Sequence, residues 1–152
     1  MSQALKILDI LIKMQEYSDV YLHKQDGLLE EIGLTEVHCI DCIGKTDHPN
    51  VTKISEQMRL TRAGISKISK RLLSKGLIES YQEPDNNKEI YFKLTVSGQS
   101  VYEEHKKIHN KAQQEWLAIF DHYSTEEQAT ILRFLVDIEG HYDRISPVEK
   151  EK

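Results

Sequence analysis

A mostly α-helical fold with one small β-hairpin is what this sequence predicts, and three observations predict it. In residues 50–76, NVTKISEQMRLTRAGISKISKRLLSKG, apolar side chains recur at helical spacing in two short blocks with a tight break between them. Directly after Gly76 the period drops to two: LIESYQE and IYFKLT alternate, are rich in β-branched and aromatic residues, and flank the turn formers PDNNKE. On either side run long segments with helical periodicity. Two helices with a tight break, then a hairpin, make a helix-turn-helix with a wing, set between N- and C-terminal helices.

Each element has its own justification. Residues 4–24 read as the first helix, with Leu5, Leu8 and Ile12 on one stripe and Ile7, Leu11 and Met14 on a neighbouring one. That coverage is too wide for a helix packed on one side, so one stripe is expected to face the subunit's own core and one a partner subunit. Gly27 and Gly33 bracket a connection or a bent continuation. Thr35 can cap a short helix, TEVHCIDCIG, that points Val37, Ile40 and Ile43 inward and ends at Gly44. KTDHPN is a loop, since Pro49 disfavours helical geometry at His48. Ile54 and Met58 form the stripe of the next helix, which Leu60 closes. Thr61 then sits at an N-cap, and Ile65, Ile68, Leu72 and Leu73 form the apolar stripe of the second helix of the pair, ended by Gly76 in the left-handed conformation. After the hairpin, Thr95 or Ser97 starts a long helix to about residue 123, its apolar side marked by Val101, Ile108, Ala112, Trp116 or Leu117, and Phe120. Ser124 and Glu127 have capping-box spacing and open a last helix with Ile131, Leu135 and Ile138 on one stripe and Leu132 and Val136 beside it. Gly140 and Pro147 are expected to bound its end, leaving a frayed tail.

Charge is distributed unevenly. Residues 51–76 hold seven bases, Lys53, Arg59, Arg62, Lys67, Lys70, Arg71 and Lys75, against the single acid Glu56, in a chain whose net charge is −5. The polar face of the second helix of the pair takes Arg62, Ser66, Lys67, Ser69, Lys70, Arg71 and Lys75. A basic helix on an acidic body points to a localised polyanion contact, because neutralising phosphates needs clustered Lys and Arg. The alternative is a solvated charged face, and the helix-turn-helix spacing favours DNA over it.

At 152 residues, 39% hydrophobic and 30% charged, the chain suits one helical domain with large exposed faces, or a dimer with a modest core per subunit. No apolar run approaches the roughly 18 residues of a membrane span. The N-terminal stretch lacks the apolar core of an export signal, so the cytoplasm is the expected location and Cys39 and Cys42 are expected as reduced thiols. An enzyme is not expected: no phosphate-cradling glycine loop, nucleophile elbow or paired-carboxylate motif is present. A winged-helix module whose basic helix meets an acidic protein is the remaining alternative.

The segments LTRAGISKISKRLLSKGLIES and KEIYFKLTVSG, in this order of elements, resemble the MarR family of winged-helix transcriptional regulators, and the resemblance covers nearly the whole chain. It implies a single domain over 1–152, with residues 34–96 as the DNA-binding lobe and residues 1–33 and 97–146 as dimerisation helices. It implies a homodimer on a palindromic operator, acting as a repressor relieved or tuned by a small effector. On that reading Thr61, Arg62, Ser66, Lys67 and Lys70 meet DNA at the recognition helix, with Arg71 and Lys75 nearer phosphates and Lys88 on the wing. Where family members carry an Asp-x-Arg triplet eight residues before Leu-Thr, this chain has Asn86-Asn87-Lys88. Lysine keeps the charge and lacks the planar fork of arginine.

His105 and His109 are four residues apart and share a helical face, so they can bind one metal ion. The resemblance extends this: zinc-sensing members use a His on the second helix and a Glu-His-x-x-x-His on the long one, matched here by His38, Glu104, His105 and His109. His23 and Glu30 are candidates for a further ligand. Packed or solvated histidines are the alternative. Cys39 and Cys42 form a lone CxxC, read as two small buried side chains, with thiol oxidation as the sharper option. A lipophilic small molecule is a third class of effector that the resemblance allows.

Overall fold

The computed structural model describes residues 2–23 and 32–145, and for residues 15–23 the backbone alone. In chain order the elements are α1 (Gln3–His23), α2 (Leu34–Lys45), α3 (Val51–Met58), α4 (Arg62–Ser74), β1 (Ile78–Glu83), β2 (Asn86–Leu94), α5 (Val96–Phe120) and α6 (Thr125–Ile145). The chain divides into two compact units, Met1–Leu34 and Thr35–Lys152. Gly27, Glu30, Pro147 and the tail lie outside the described residues, as does the His23 side chain. Among the described residues, no helix is long and apolar enough to cross a membrane.

In the first unit α1 is one uninterrupted helix, with Leu5, Ile7, Leu8 and Ile12 all exposed. α2 starts at Leu34, one residue ahead of Thr35 where the second unit begins, and runs through Gly44 to Lys45. Gly44 does not end the helix as expected. A Cβ there would stand 2.5 Å from the ring of Tyr102, so the glycine serves the close approach of α5. Val37, Ile40 and Ile43 point inward as expected, and both cysteines are buried with them.

The helix pair is built by its caps. Asn50 accepts from Lys53 N at 2.8 Å and starts α3, and Arg59 ends it in the left-handed region, at φ 53°. Thr61 is the N-cap of α4, accepting from Gly64 N at 3.1 Å. Gly76, at φ 68°, follows its last turn. Ile65, Ile68 and Leu72 are buried as the spacing predicts, but Leu73 is 39% exposed and Ser69, placed on the polar face by sequence, is only 3% exposed. The reason is angular. Ile65, Ser69 and Leu72 stand at i, i+4 and i+7 on one stripe, and Leu73 is a further 100° or so around.

β1 and β2 pair antiparallel with Ile78 opposite Leu94 and Tyr81 opposite Tyr91. The tip is shorter than PDNNKE suggests: β2 already begins at Asn86, which pairs with Glu83. Asn86 makes this possible by accepting from the backbone N–H of Lys88 and Glu89. The hairpin is pinned to the loop before α3, where Phe92 N donates to Pro49 O at 2.9 Å and Asn50 bridges Tyr91.

Thr95, rather than Ser97, caps α5, accepting from Gly98 N while its hydroxyl donates to Gly76 O at 2.6 Å. A Cβ on Gly98 would fall 1.9 Å from Leu77 O. One Thr and one Gly thus join the end of α4, the base of the wing and the start of α5. Ser124 and Glu127 form the expected reciprocal capping box. α6 continues through Gly140 to Ile145, because a helical glycine weakens a helix without ending it unless the backbone turns left-handed. The core of the unit is Ile40, Ile54, Ile65, Leu72 and Ile78, closed by Phe92 and Val101. Beyond Val101 the apolar side of α5 is only partly covered: Ile108, Ala112 and Phe120 are half-buried, while Trp116 and Leu117 are exposed, as are Leu132, Leu135 and Val136 on α6.

Candidate nucleic-acid interface and histidine cluster

Burial of its inner stripe turns the other side of α4 outward. Arg62, Lys67 and Lys70 are exposed and make no ion pair among the described residues, with Ser66 half-buried alongside them. Thr61 is engaged as the cap, and Gly64 beside it has little room, since an added Cβ would meet the Thr61 hydroxyl at 3.2 Å. Lys88 is exposed on β2, at the tip of the wing.

The other bases of residues 51–76 are held within the protein. Arg71 Nε donates to Glu36 Oε1 at 3.0 Å, and Lys75 Nζ to Glu36 Oε2 at 2.6 Å. The Glu36 side chain is 7% exposed, so both its oxygens are satisfied by cations from α4. Arg71, placed with the DNA contacts by sequence, links α4 to α2 through Glu36 while its side chain stays 56% exposed. Arg59 pairs with Asp143 at 2.9 Å, and Lys53 Nζ donates to Asp47 O at 2.9 Å. Nothing local in the sequence marks Glu36 as the partner of residues 35 and 39 positions away. The Asn50 cap was missed in the sequence, where Asn50 fell at the end of the loop KTDHPN, although an Asn directly before an apolar-periodic run is a cap signal.

A second cluster gathers where α2 crosses α5. One ligand atom each from His38, His105 and His109 lies within 4.8 Å of the others. His105 Nε2 and His109 Nε2 are 3.0 Å apart, and the His38 and His105 rings meet edge-on with centroids 5.6 Å apart. His105 is 2% exposed, and Asp41 Oδ1 stands 3.5 Å from its Nδ1. Burial, with His109 and His38 adding repulsion, holds His105 down to about 4 from the usual 6.5, against the opposing pull of Asp41. At neutral pH the ring is therefore uncharged, the form that binds a metal. Glu104 is not among the residues whose ligand atoms converge, since its helical position is about 100° around from that of His105. Asp41 carried no sequence signal beyond sharing a helical face with His38.

Cys39 and Cys42 are both free thiols in the core. Burial pushes Cys39 up to about 12, with Cys42 and Glu36 adding to it. Burial also raises Cys42, whose Sγ donates to Gln57 Oε1 at 3.2 Å. Neither offers a thiolate at neutral pH.

Residues 32–90, from the approach to α2 into β2, match the MarR family model. Two proteins of Bacillus subtilis (strain 168) are similar in sequence. The uncharacterized HTH-type transcriptional regulator YhjH is 41% identical over 106 residues, 70% of this chain and 61% of its own length. The HTH-type transcriptional regulator PchR is 41% identical over 102 residues, 67% of this chain and 60% of its own length. The chain thus matches about three-fifths of the length of these relatives. Among solved structures, wild-type Lactococcus lactis ZitR in complex with DNA superposes with a TM-score of 0.76 at 24% identity, over 93% of this chain and 99% of that one. Another structure of that protein, described as a zinc-responsive MarR family member, superposes with a TM-score of 0.72 at 22% identity, with the same coverage. These structural likenesses establish the winged-helix fold. The sequence match runs through the helix pair and most of the wing, and over these residues the chain is similar to the MarR family.

Proposed function

We propose that this protein is a transcription regulator, a repressor that binds a palindromic operator as a homodimer. The observation that carries the reading is the exposed set Arg62, Lys67 and Lys70 on α4, with Lys88 on the adjacent wing. A rigid helix presenting cations beside a β-hairpin suits a major groove flanked by phosphates. In this arrangement Arg62 and Lys67 are near enough to the helix start to read guanine edges, Thr61 and Ser66 supply hydroxyls, and Lys70 and Lys88 meet phosphates. Arg71 contributes by fixing the angle of α4 through Glu36. The dimer is supported by uncovered apolar side chains on α1 and, separately, on α5 and α6. Replacing Lys67 and Lys70 together by Ala is expected to weaken operator binding by at least about 100-fold and to flatten its salt dependence, with the dimer intact. Equal affinity of the variant and the parent in fluorescence anisotropy at fixed salt would remove the assignment.

The effector we propose is zinc. What supports it is the convergence of His38, His105 and His109, which draws on two helices and leaves a fourth tetrahedral position for water or another ligand. A zinc ion held there would tie α2, which carries Glu36 and so the grip on α4, to the long helix α5. Favouring one arrangement of the two helices over another is how such a ligand would alter operator affinity. Calorimetric titration of the metal-free protein with zinc should give binding tighter than micromolar. Weaker binding, or binding unchanged when His105 and His109 are replaced by Ala, would leave the operator-binding reading without this effector.

A further inference from the structure

We infer that Asp41 is a positioning residue for the histidine cluster, selecting the tautomer of His105 that turns a lone pair towards a bound metal ion. The inference rests on the zinc reading and adds to it a residue that is not itself a ligand. The two nitrogens of the His105 ring face different neighbours. Nε2 points to His109 Nε2, 3.0 Å away, on the side where the three imidazoles converge. Nδ1 is buried without a hydrogen bond of good geometry, and the carboxylate it faces is Asp41, whose Oδ1 is 3.5 Å away. With His105 2% exposed, the ring has no solvent to turn to.

A neutral imidazole carries one proton, and the surroundings decide where it sits. On Nδ1 it lies between the ring and a carboxylate, leaving Nε2 as an acceptor for the Nε2–H of His109, or for a metal ion once His109 has shifted its own proton to Nδ1. On Nε2 it would oppose a metal ion and leave the Nδ1 lone pair facing a carboxylate oxygen. Asp41 thus favours the first form. Its own orientation is held from the other side, because Oδ2 accepts from Lys45 Nζ at 2.7 Å one helical turn on. His38 and Asp41 stand three residues apart on α2, so one face of that helix supplies both a ligand and the group that orients another ligand on α5. A carboxylate on the far nitrogen of a metal-binding histidine also raises its basicity, and removing such a partner weakens metal binding by about 10- to 100-fold.

The test is zinc affinity of the full chain, measured by competition with a chelating dye, for the parent, Asp41→Ala, Asp41→Asn, Lys45→Ala and His105→Ala. Asp41→Ala should lose about 10- to 100-fold. Asp41→Asn, which keeps a neutral acceptor, should fall between Asp41→Ala and the parent. Lys45→Ala should stay within about threefold of the parent, being a partner at one remove. Nitrogen-15 shifts of the His105 ring in the metal-free protein provide the second readout, which a purely structural role would not move. The parent should hold the proton on Nδ1, and Asp41→Ala should give a mixture of tautomers. If Asp41→Ala binds zinc like the parent and keeps the same tautomer while His105→Ala loses binding, the role of Asp41 is overturned and the zinc site stands. If the parent itself binds no zinc, the zinc site falls and this inference with it.

Discussion

Glu36 shows how one side chain can change what a basic helix offers. Its carboxylate is buried and holds Arg71 and Lys75, which are 56% and 38% exposed. The cations keep part of their hydration, so the pair is worth less than a fully buried one. Glu36→Gln is expected to lower stability by about 1–2 kcal/mol in urea unfolding, since charge-assisted bonds become neutral ones. A variant as stable as the parent would show that α4 is held by its apolar stripe alone. At the same scale, the cysteines are inert by environment: the raised Cys39 and Cys42 leave almost no thiolate at pH 7. The folded protein is expected to resist iodoacetamide and to bind DNA equally after mild peroxide and after dithiothreitol. Rapid labelling of either thiol, or a redox-dependent affinity, would point to the oxidation reading.

Among the elements, the junction of α4, the wing and α5 is the least tolerant. Thr95 bonds to Gly76 O and caps α5, and Gly98 lies directly against Leu77 O. The Leu-Thr-x-x-Gly run that marks this position in the sequence has a steric cause, the passage of a helix start over a backbone carbonyl. Gly98→Ala is expected to cost about 3 kcal/mol, because backbone on both sides must move and no flexible side chain can yield. A thermal unfolding midpoint equal to that of the parent would contradict the close approach. Gly64 and Gly140 meet no such backbone, and the close atoms at Gly44 belong to the Tyr102 side chain.

For the whole molecule, the last two helices matter through what they leave uncovered. Leu132 and Leu135 are 63% and 43% exposed on α6, which has no buried residue at all. Contiguous apolar surface of this kind is characteristic of an interface between copies. Replacing both by Glu should produce a monomer in sedimentation equilibrium. Operator affinity should then fall by about 100-fold or more, because two recognition helices no longer act on one duplex. A variant that stays dimeric would place the interface elsewhere.

Much of this was legible from residue order. Helical and strand periods, the Thr61 and Ser124 caps, the left-handed Gly76 and the basic α4 all depend on neighbours within a few residues, and short-range geometry reads them directly. The tertiary structure decided which helix faces are covered and which charges are already taken: Ser69 in and Leu73 out, Arg71 turned to Glu36, Asp41 set against His105, Glu104 left outside the cluster. Those outcomes depend on groups brought together from distant parts of the chain, for which no local pattern exists, because packing selects them by shape and charge.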